Sequence, residues 1–223
     1  MTELELLASG RDADVFALDA ERILRRYRGD GDVTAEAAVM VYVDELGFPV
    51  PRVYSAEGTD LILERLTGPT MLHALGAGQM SAVTGAELLA DLHERLHSLP
   101  PRMPHKPGDR VLHLDLHPAN VILEARGPVV IDWRNASQGP PELDLAVSAL
   151  ILARVAVDST HEATAVADVF LPVFLASVGP VPSEALDQAV RLRRADSNTT
   201  TREIDLLGEA ISAIGEYQAG SPS

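Results

Sequence analysis

The first third of the chain alternates short hydrophobic runs with polar turns, a pattern typical of strands joined by hairpins. The runs "DVFALD" and "ERILRRY" flank the turn-like "LDAE" and predict one hairpin. Hydrophobic residues then recur at helical spacing in "VTAEAAVMVYVDELG", and Gly47 predicts the end of that helix. Two further strands are predicted at 52–55 and 60–64, around the turn "EGT". This part of the chain therefore predicts a small sheet with one helix.

The remainder of the chain is predicted to be mainly helical. A change of composition at "TGPTMLHALGAGQM" predicts a boundary, which divides the chain into 1–66 and 67–223. A helix in "SAVTGAELLADLHERLHSLP" ends at two prolines. Strands followed by helices indicate an α+β protein rather than a doubly wound parallel sheet. Further helices are predicted near 141–157, 161–178, 183–194 and 201–217.

His93 and His97 stand four residues apart on the predicted helix, which is the spacing of many zinc-binding histidines. The adjacent glutamate of the metalloprotease pattern is missing from this helix. The pattern therefore favours ordinary residues on the helix surface over a metal site.

Composition and charge exclude several classes of function. The 223 residues carry a net charge of -15, which argues against nucleic acid or an anionic membrane as a partner. The charge would attract a cationic small molecule, but the favoured interpretation is that it only keeps the protein soluble. The absence of cysteine excludes disulfides, thiolate catalysis and cysteine-ligated metals. The acidic N-terminus lacks a signal-peptide pattern, and the longest apolar stretch is too short to span a bilayer. We therefore expect a cytoplasmic protein, either a monomer or a homodimer.

The candidate chemistry is concentrated in one stretch, "RVLHLDLHPANVILEARGPVVIDWRN". Two apolar runs flank "EARG" and predict a hairpin whose turn is centred on Arg126. In that register Asn120 and Asp132 lie opposite one another at the open end of the hairpin. An amide oxygen and a carboxylate that meet there are suitable ligands for a hard cation such as Mg²⁺.

Asp115 lies in the loop before the hairpin and offers a second carboxylate close to that cation. An acceptor beside a metal-bound phosphate is placed to receive a proton from a substrate hydroxyl. The same letters allow another interpretation, because "HLDLH" puts His113, Asp115 and His117 at alternate positions. On a strand these three would face one side, as in the zinc or iron site of a metallohydrolase.

The order of these motifs resembles the aminoglycoside phosphotransferase family, the small-molecule branch of the protein-kinase-like fold. "HLDLHPANVIL" is similar to the catalytic loop of that family, and "VVIDW" is similar to its metal-binding strand end. "LASGRDADVFALD" resembles the loop that covers the phosphates, and "LILERLTG" resembles the hinge that binds adenine. The resemblance implies two lobes: a small antiparallel sheet with one helix, and a mostly helical lobe that includes the catalytic hairpin.

The resemblance also implies a role for each matching residue. In the catalytic loop and at the metal, Asp115 would be the base, Asn120 and Asp132 would bind Mg²⁺, and three residues would support them: His113, His117 and Asp144. At the nucleotide, ATP or GTP, the implied contacts are Gly10 in the phosphate loop, Arg25 on the α- and β-phosphates, Glu36 paired with Arg25, and the backbone of Glu64 and Leu66 at the base.

The family usually has lysine at the position of Arg25, and Gly10 is the only glycine of its loop. Arginine stays cationic and can hold phosphate oxygens with two hydrogen bonds, but its shape differs from that of an ammonium group. Three hypotheses follow. The first is a kinase that phosphorylates a hydroxyl of a small molecule, such as an aminoglycoside-like antibiotic, a sugar or an amino alcohol. The second is a weakly active or inactive nucleotide-binding regulator, and the third is the metallohydrolase.

Overall fold

The structure is a computed structural model that describes residues 4–29, 32–103, 106–196 and 198–220. It divides into two compact units. The first unit combines the chain up to Pro69 with Ile122–Ala136, and the second combines Thr70–Val121 with the chain from Ser137 onward. The strands are β1 (Glu5–Ser9), β2 (Ala13–Ala17), β3 (Arg22–Tyr27), β4 (Val53–Glu57), β5 (Asp60–Glu64), β6 (Arg110–Leu112), β7 (Val121–Glu124), β8 (Gly127–Val130) and β9 (Ser137–Gly139). The helices are α1 (Thr34–Glu45), α2 (Met71–Gly76), α3 (Ala82–Ser98), α4 (Pro141–Val157), α5 (Thr164–Val178), α6 (Ser183–Ala195), α7 (Thr201–Asp205) and α8 (Leu207–Gly220).

The first unit is built on a five-stranded sheet in the order β1-β2-β3-β5-β4, in which neighbouring strands are antiparallel. Leu24, Leu61 and Leu63 are buried in the sheet, and α1 buries Met40 and Val43. The helix ends where the sequence predicts, because Gly47 adopts a φ of 82° that disfavours other residues. The predicted sheet with one helix is confirmed.

The hairpin of β7 and β8 lies in the first unit, apart from its first residue. Backbone hydrogen bonds attach it to the segment that follows β5, with Leu123 N donating to Pro69 O at 2.9 Å. The Glu124 carboxylate accepts from the backbone N–H groups of Thr67 and Gly68 at 2.5 and 2.8 Å. A Cβ on Gly68 would lie 2.0 Å from the Leu123 carbonyl oxygen, so only glycine fits there. The division therefore differs from the predicted lobes 1–66 and 67–223, which assigned the hairpin to the second lobe.

The second unit is mostly helical and is organised around α4. This helix is buried along most of its length and packs against α5, α6 and α8. The short strands β6 and β9 pair antiparallel beside it. The last predicted helix is two helices, since α7 ends at Asp205 and α8 begins at Leu207. The α+β class is confirmed, and no helix among the described residues is long and apolar enough to cross a bilayer.

Candidate active site

Asp115, His117 and Asn120 form a compact group in the loop between β6 and β7. The Asn120 amide Nδ2 donates to the backbone oxygen of Asp115 at 2.9 Å and to its Oδ2 at 3.2 Å. His117 begins the 3-10 turn Pro118–Asn120, and its Nε2 lies 3.3 Å from Asn120 Nδ2. A single amide therefore fixes both the backbone and the carboxylate of the predicted base.

Asp144 holds the backbone just before Asp115. Its two carboxylate oxygens accept from the N–H groups of His113 at 3.1 Å and Leu114 at 2.6 Å. Leu114 has a φ of 60°, a left-handed conformation that costs a residue other than glycine about 1–3 kcal/mol. These hydrogen bonds are the contacts that the predicted supporting role of Asp144 requires. They offset the strain that turns the chain toward Asp115.

Two histidines of α3 also contact the residues that hold the backbone around Asp115. The sequence did not predict these contacts. His97 Nε2 lies 3.0 Å from Asp144 Oδ2, and His93 Nε2 lies 2.9 Å from Ser148 Oγ. Ser148 donates to the backbone oxygen of Leu116 at 2.7 Å. The expectation that His93 lies on a helix surface is wrong, because the residue is only 1% exposed. The sequence did contain a signal for these contacts, because His93 and His97 on α3 are four residues apart, as are Asp144 and Ser148 on α4. Residues four apart lie on the same face of a helix.

The buried carboxylate of Asp144 stays ionised in this setting. Burial alone would raise the pKa of Asp144, but the neighbouring rings of His93, at 3.6 Å, and His97, at 3.0 Å, hold it well below its usual range. Burial also lowers the pKa of His93, so that histidine is neutral at physiological pH. Asp144 thus provides a charged acceptor for two backbone donors in the interior.

His93, His97 and Asp144 are the only group of three within the described residues whose side chains are spaced to hold a metal ion. The alternative group of His113, Asp115 and His117 does not have such spacing. His113 is fully buried, and Asp115 already accepts from Asn120. The geometry that the metallohydrolase hypothesis needs is therefore missing at its predicted place.

In the first unit, Arg25 bridges two carboxylates. Its Nη1 lies 3.1 Å from Glu36 Oε1, and its Nη2 lies 2.5 Å from Asp132 Oδ1. The Tyr27 hydroxyl donates to the other Glu36 oxygen at 2.6 Å. Burial would lower the pKa of Arg25, but Asp132 and Glu36 raise it above its usual range. Burial raises the pKa of Glu36, although Arg25 and Tyr27 act in the opposite direction.

A second arginine stands beside this cluster. Arg134 pairs with Asp12 of the β1–β2 loop at 2.7 Å, and its guanidinium lies 4.8 Å from the centre of the Tyr27 ring. Arg25 lies 4.9 Å from the centre of the same ring. Asp132 itself is in the left-handed region with a φ of 66°, directly before a 3-10 turn that begins at the buried Trp133. The strained backbone presents the Asp132 carboxylate to Arg25.

The other predicted nucleotide contacts also lie in the first unit. Gly10 is in the loop between β1 and β2, where its N–H donates to Ala13 O at 2.9 Å. A Cβ at Gly10 would lie 3.4 Å from that oxygen, so the loop itself does not demand glycine. Glu64 ends β5 with its N–H bonded to Arg52 O, and its carboxylate is paired with Arg126 at 2.7 Å. Leu66 follows in a partly buried position.

The structure groups the predicted residues by unit. Asn120 and Asp132 belong to different units, and neither lies in a strand of the hairpin. Asn120 directly precedes β7 and Asp132 follows β8 by two residues, so both flank the hairpin strands and do not pair within them. Their meeting at a shared cation stays a prediction. One group comprises Gly10, Arg25, Glu36, Glu64, Leu66 and Asp132, and the other comprises His113, Asp115, His117, Asn120 and Asp144.

A family model and solved structures show what this chain is similar to. The sequence model described as "Phosphotransferase enzyme family" (APH) matches residues 3–108 and 79–172, which together span well over half of the chain. The chain belongs to this family. Membership confirms the predicted resemblance and identifies a phosphotransferase that acts as a small-molecule kinase. No curated protein matches the chain in sequence.

Solved structures of the family share the fold. The streptomycin–ATP ternary complex of APH(2'')-IIa superposes with a TM-score of 0.63 at 15% identity, covering 97% of this chain and 93% of that one. APH(3'')-Id from Streptomyces rimosus gives 0.57 at 19% identity, covering 90% and 91%. The GDP complex of a mutant aminoglycoside 2'-phosphotransferase-IIIa gives 0.56 at 13% identity, covering 97% and 91%. At these identities the likeness establishes the fold alone.

The neutral buried His93 leads to a testable pH dependence of stability. Burial holds the pKa of His93 in the folded chain below its unfolded value of about 6.5. At pH values between these two pKa values, His93 is more often protonated in the unfolded chain than in the folded chain. We expect the contribution of His93 to the free energy of unfolding to be complete above this window. It should decrease as pH falls through it, by at most about 1.4 kcal/mol per pH unit.

Urea denaturation at pH 7.5, 6.5 and 5.5 measures this dependence. His93→Gln should flatten the pH profile, whereas the matched control His73→Gln, at an exposed position of α2, should not. Equal pH profiles for the wild type and His93→Gln would contradict the prediction.

Proposed function

We propose that this chain transfers the terminal phosphoryl group of ATP or GTP to a hydroxyl of a small molecule, in a reaction that requires Mg²⁺. The observation that carries this proposal is the fixed position of Asp115, whose carboxylate is oriented by Asn120 and whose flanking backbone is held by Asp144 and Ser148. A carboxylate with so little freedom is suited to orient a hydroxyl and accept its proton.

The oxygen ligands that we propose for the metal, an amide and a carboxylate, have the chemistry that a hard divalent cation requires. We propose that Asn120 holds it through Oδ1, because its Nδ2 is occupied by Asp115. Asp132 would supply a carboxylate whose side chain is 38% exposed. Amide and carboxylate oxygens are the ligands that Mg²⁺ prefers. When bound, Mg²⁺ neutralises charge on the phosphate oxygens during transfer.

The protein's own groups then perform the remaining tasks. Asp115 orients the acceptor hydroxyl and takes its proton as the oxygen attacks. Arg25 binds the α- and β-phosphates with Glu36 as its partner, and the N–H groups of the Gly10 loop approach the phosphates. The carbonyl of Glu64 and the N–H of Leu66 bind the base. Among acceptors, the candidates are an aminoglycoside-like antibiotic, a sugar or an amino alcohol, in line with the streptomycin and gentamicin complexes of the structural neighbours.

Calorimetric binding of ATP and GTP with and without Mg²⁺ tests the first half of the proposal. ADP or GDP production against a panel of hydroxylated antibiotics, sugars and amino alcohols tests the second. We expect binding that strengthens with Mg²⁺ and turnover with at least one class of acceptor. The absence of nucleotide binding under all conditions would contradict the proposal.

A second candidate function is supported by the 2.5 Å contact between Arg25 and Asp132. Arginine reaches Glu36 and Asp132 at once and competes with the cation for the Asp132 carboxylate. A nucleotide-binding regulator with little or no turnover is consistent with that competition. Tight nucleotide binding without phosphoryl transfer to any acceptor would favour this function over the kinase.

This competition yields a prediction for Arg25→Lys. A lysine lacks the planar fork with which the guanidinium reaches Glu36 and Asp132 through two separate nitrogens, so we expect Asp132 to become available to the cation. We expect the Mg²⁺ concentration for half-maximal nucleotide binding to fall about tenfold, which matches the loss of one charge-assisted hydrogen bond. The measurement is a Mg²⁺ titration of nucleotide binding.

The neighbouring Arg26→Lys is the matched control. Arg26 lies on the same strand, is about half exposed and pairs with Asp60 outside the cluster. It should leave the Mg²⁺ titration unchanged. An equal shift in both variants, or no shift for Arg25→Lys, would contradict the proposed competition between Arg25 and the cation for the Asp132 carboxylate.

A further inference from the structure

Three side chains of the second unit that can each bind a metal converge in its interior: His93 and His97 of α3 and Asp144 of α4. His93 Nδ1 lies 3.6 Å and His97 Nε2 lies 3.0 Å from the same oxygen, Asp144 Oδ2. The three atoms all lie within 4.8 Å of one another. The side chains of His93 and Asp144 are 1% and 0% exposed, and that of His97 is 11% exposed. The cluster is therefore buried, with a partial opening to solvent at His97.

Hydrogen bonds on the other side of His93 determine which of its ring nitrogens carries the proton. Ser148 Oγ donates its one proton to the backbone oxygen of Leu116 at 2.7 Å, because a carbonyl can only accept. Ser148 Oγ must then accept from His93 Nε2, which lies 2.9 Å away. Burial lowers the pKa of His93, so the ring is neutral and its single proton is on Nε2. His93 Nδ1 consequently has a lone pair and no proton.

This lone pair is directed at a negative charge. His93 Nδ1 is a buried nitrogen without a hydrogen-bond partner in the part of the chain that the structure describes. It faces the ionised carboxylate of Asp144 at 3.6 Å with no proton between the two atoms. Two acceptors that oppose each other in the interior are unfavourable, because neither can be solvated by water. A cation bound to both atoms would replace this repulsion with two bonds.

We propose that His93 Nδ1, His97 Nε2 and Asp144 Oδ2 bind a structural transition-metal ion, Zn²⁺ in the first place, through ligands that differ from those proposed for Mg²⁺. Imidazole nitrogens with a carboxylate oxygen are ligands that Zn²⁺ accepts, whereas Mg²⁺ is bound through oxygens. Bonds of about 2.0–2.2 Å at tetrahedral angles place neighbouring ligand atoms about 3.3 Å apart. The distances of 3.0 and 3.6 Å to Asp144 Oδ2 lie on either side of that separation.

The existing contacts of the three residues are compatible with a bound ion. His93 keeps its hydrogen bond to Ser148, because the metal takes the other ring nitrogen, and a ligand histidine is normally oriented in this way. His97 would bind through Nε2 with its proton on Nδ1, so its contact with Asp144 becomes a contact between neighbouring ligands of one ion. Asp144 Oδ1 keeps the N–H of Leu114 at 2.6 Å.

A bound ion would act on the backbone on both sides of Asp115. Through Asp144 the cluster holds the N–H of Leu114, and through a serine hydroxyl it holds the carbonyl of Leu116. Fixing the cluster would therefore stabilise the second unit and restrict this loop. Burial of the ligands assigns the ion a structural role, unlike the metal of the metallohydrolase hypothesis. The site does not depend on the proposed phosphoryl transfer.

A zinc titration of chelator-treated protein, without nucleotide and in an excess of Mg²⁺, tests the proposal. We expect calorimetry to show one tight equivalent of Zn²⁺. The melting temperature should rise by about 5–10 °C at a free Zn²⁺ concentration 100-fold above Kd, because only the folded chain brings the ligands together. Co²⁺ in place of Zn²⁺ should give the visible absorption of a four-coordinate site. No rise in melting temperature with Zn²⁺, or an octahedral Co²⁺ spectrum, would overturn the proposal.

His93→Gln and His97→Gln separate metal binding from folding. The glutamine amide can replace the N–H that each ring presents at Nε2, to Ser148 or to Asp144, but it supplies no imidazole ligand. We expect each variant to melt cooperatively without zinc and to bind Zn²⁺ at least about 100-fold more weakly. The rise in melting temperature should be lost with the binding.

The matched control is His73→Gln, which removes an exposed histidine of α2 and should bind Zn²⁺ like the wild type. Tight zinc binding that persists in both cluster variants would overturn the proposal, because the ion would then be held by other residues. If one variant does not fold in zinc-free buffer, the other decides, and the Co²⁺ spectrum of the wild type needs neither. Failure of the zinc site leaves the kinase proposal intact, since all of these measurements are made without nucleotide.

Discussion

Replacing Asp115 with asparagine should lower the rate of phosphoryl transfer about 10²- to 10⁴-fold, the range measured for loss of a general base. The amide keeps the size of the side chain but cannot take the proton of the acceptor hydroxyl. Nucleotide binding should change little, because Asp115 is not among the predicted nucleotide contacts. The measurement pairs steady-state kinetics on the best acceptor with calorimetric nucleotide affinity.

Asp168→Asn is the matched control for that variant. Asp168 is exposed on α5 in the same unit, so its loss removes the same charge at no predicted functional position. It should retain full activity. Full transfer activity in Asp115→Asn would remove the proton-accepting role and with it the proposed mechanism.

Asp144→Ala should strongly destabilise the second unit, costing about 3–5 kcal/mol of the free energy of unfolding. The substitution leaves the N–H groups of His113 and Leu114 and the ring of His97 without their buried acceptor. The strained backbone at Leu114 also loses its support. Urea denaturation at neutral pH measures the loss, and transfer kinetics report whether Asp115 keeps its position.

Glu142→Ala controls for helix effects in that experiment. Glu142 lies in the same first turn of α4 but is exposed. Its replacement by alanine therefore removes the same kind of favourable negative charge at the helix N-terminus. We expect a cost below about 1 kcal/mol for this control. A comparable small cost for Asp144→Ala would show that the buried carboxylate does not hold the catalytic loop.

Local patterns predicted much of the fold. The hairpins in the first unit, the end of α1 just before Gly47 and the hairpin of β7 and β8 all follow from alternation and turn residues, which act over a few neighbouring positions. The order of strands before helices was enough to give the α+β class. The assignment of the hairpin to the first unit was not predictable in this way, because it depends on the close approach of Gly68 to Leu123.

The candidate site shows the same limit. Asp115, Asn120 and Asp132 could be selected because polar residues next to buried strands are unusual in a short stretch. Burial of His93 could not be inferred from α3 alone, since it depends on α4 presenting Ser148 and Asp144 to that face. The contact of Arg193 with Asp115 joins residues far apart in sequence, and periodicity contains no information on such pairs. Local sequence patterns thus identified the polar residues of the candidate site, whereas tertiary packing determined which of them contact each other.

The most direct measurement follows the phosphorus itself. Phosphorus NMR of the wild-type protein with ATP, Mg²⁺ and the panel of hydroxylated antibiotics, sugars and amino alcohols should show a new phosphate monoester growing as the γ-phosphate signal declines. The same signal should be missing for Asp115→Asn at equal nucleotide occupancy. If nucleotide binds fully but its γ-phosphate stays on ATP, or appears only as inorganic phosphate, the account of a small-molecule kinase is contradicted.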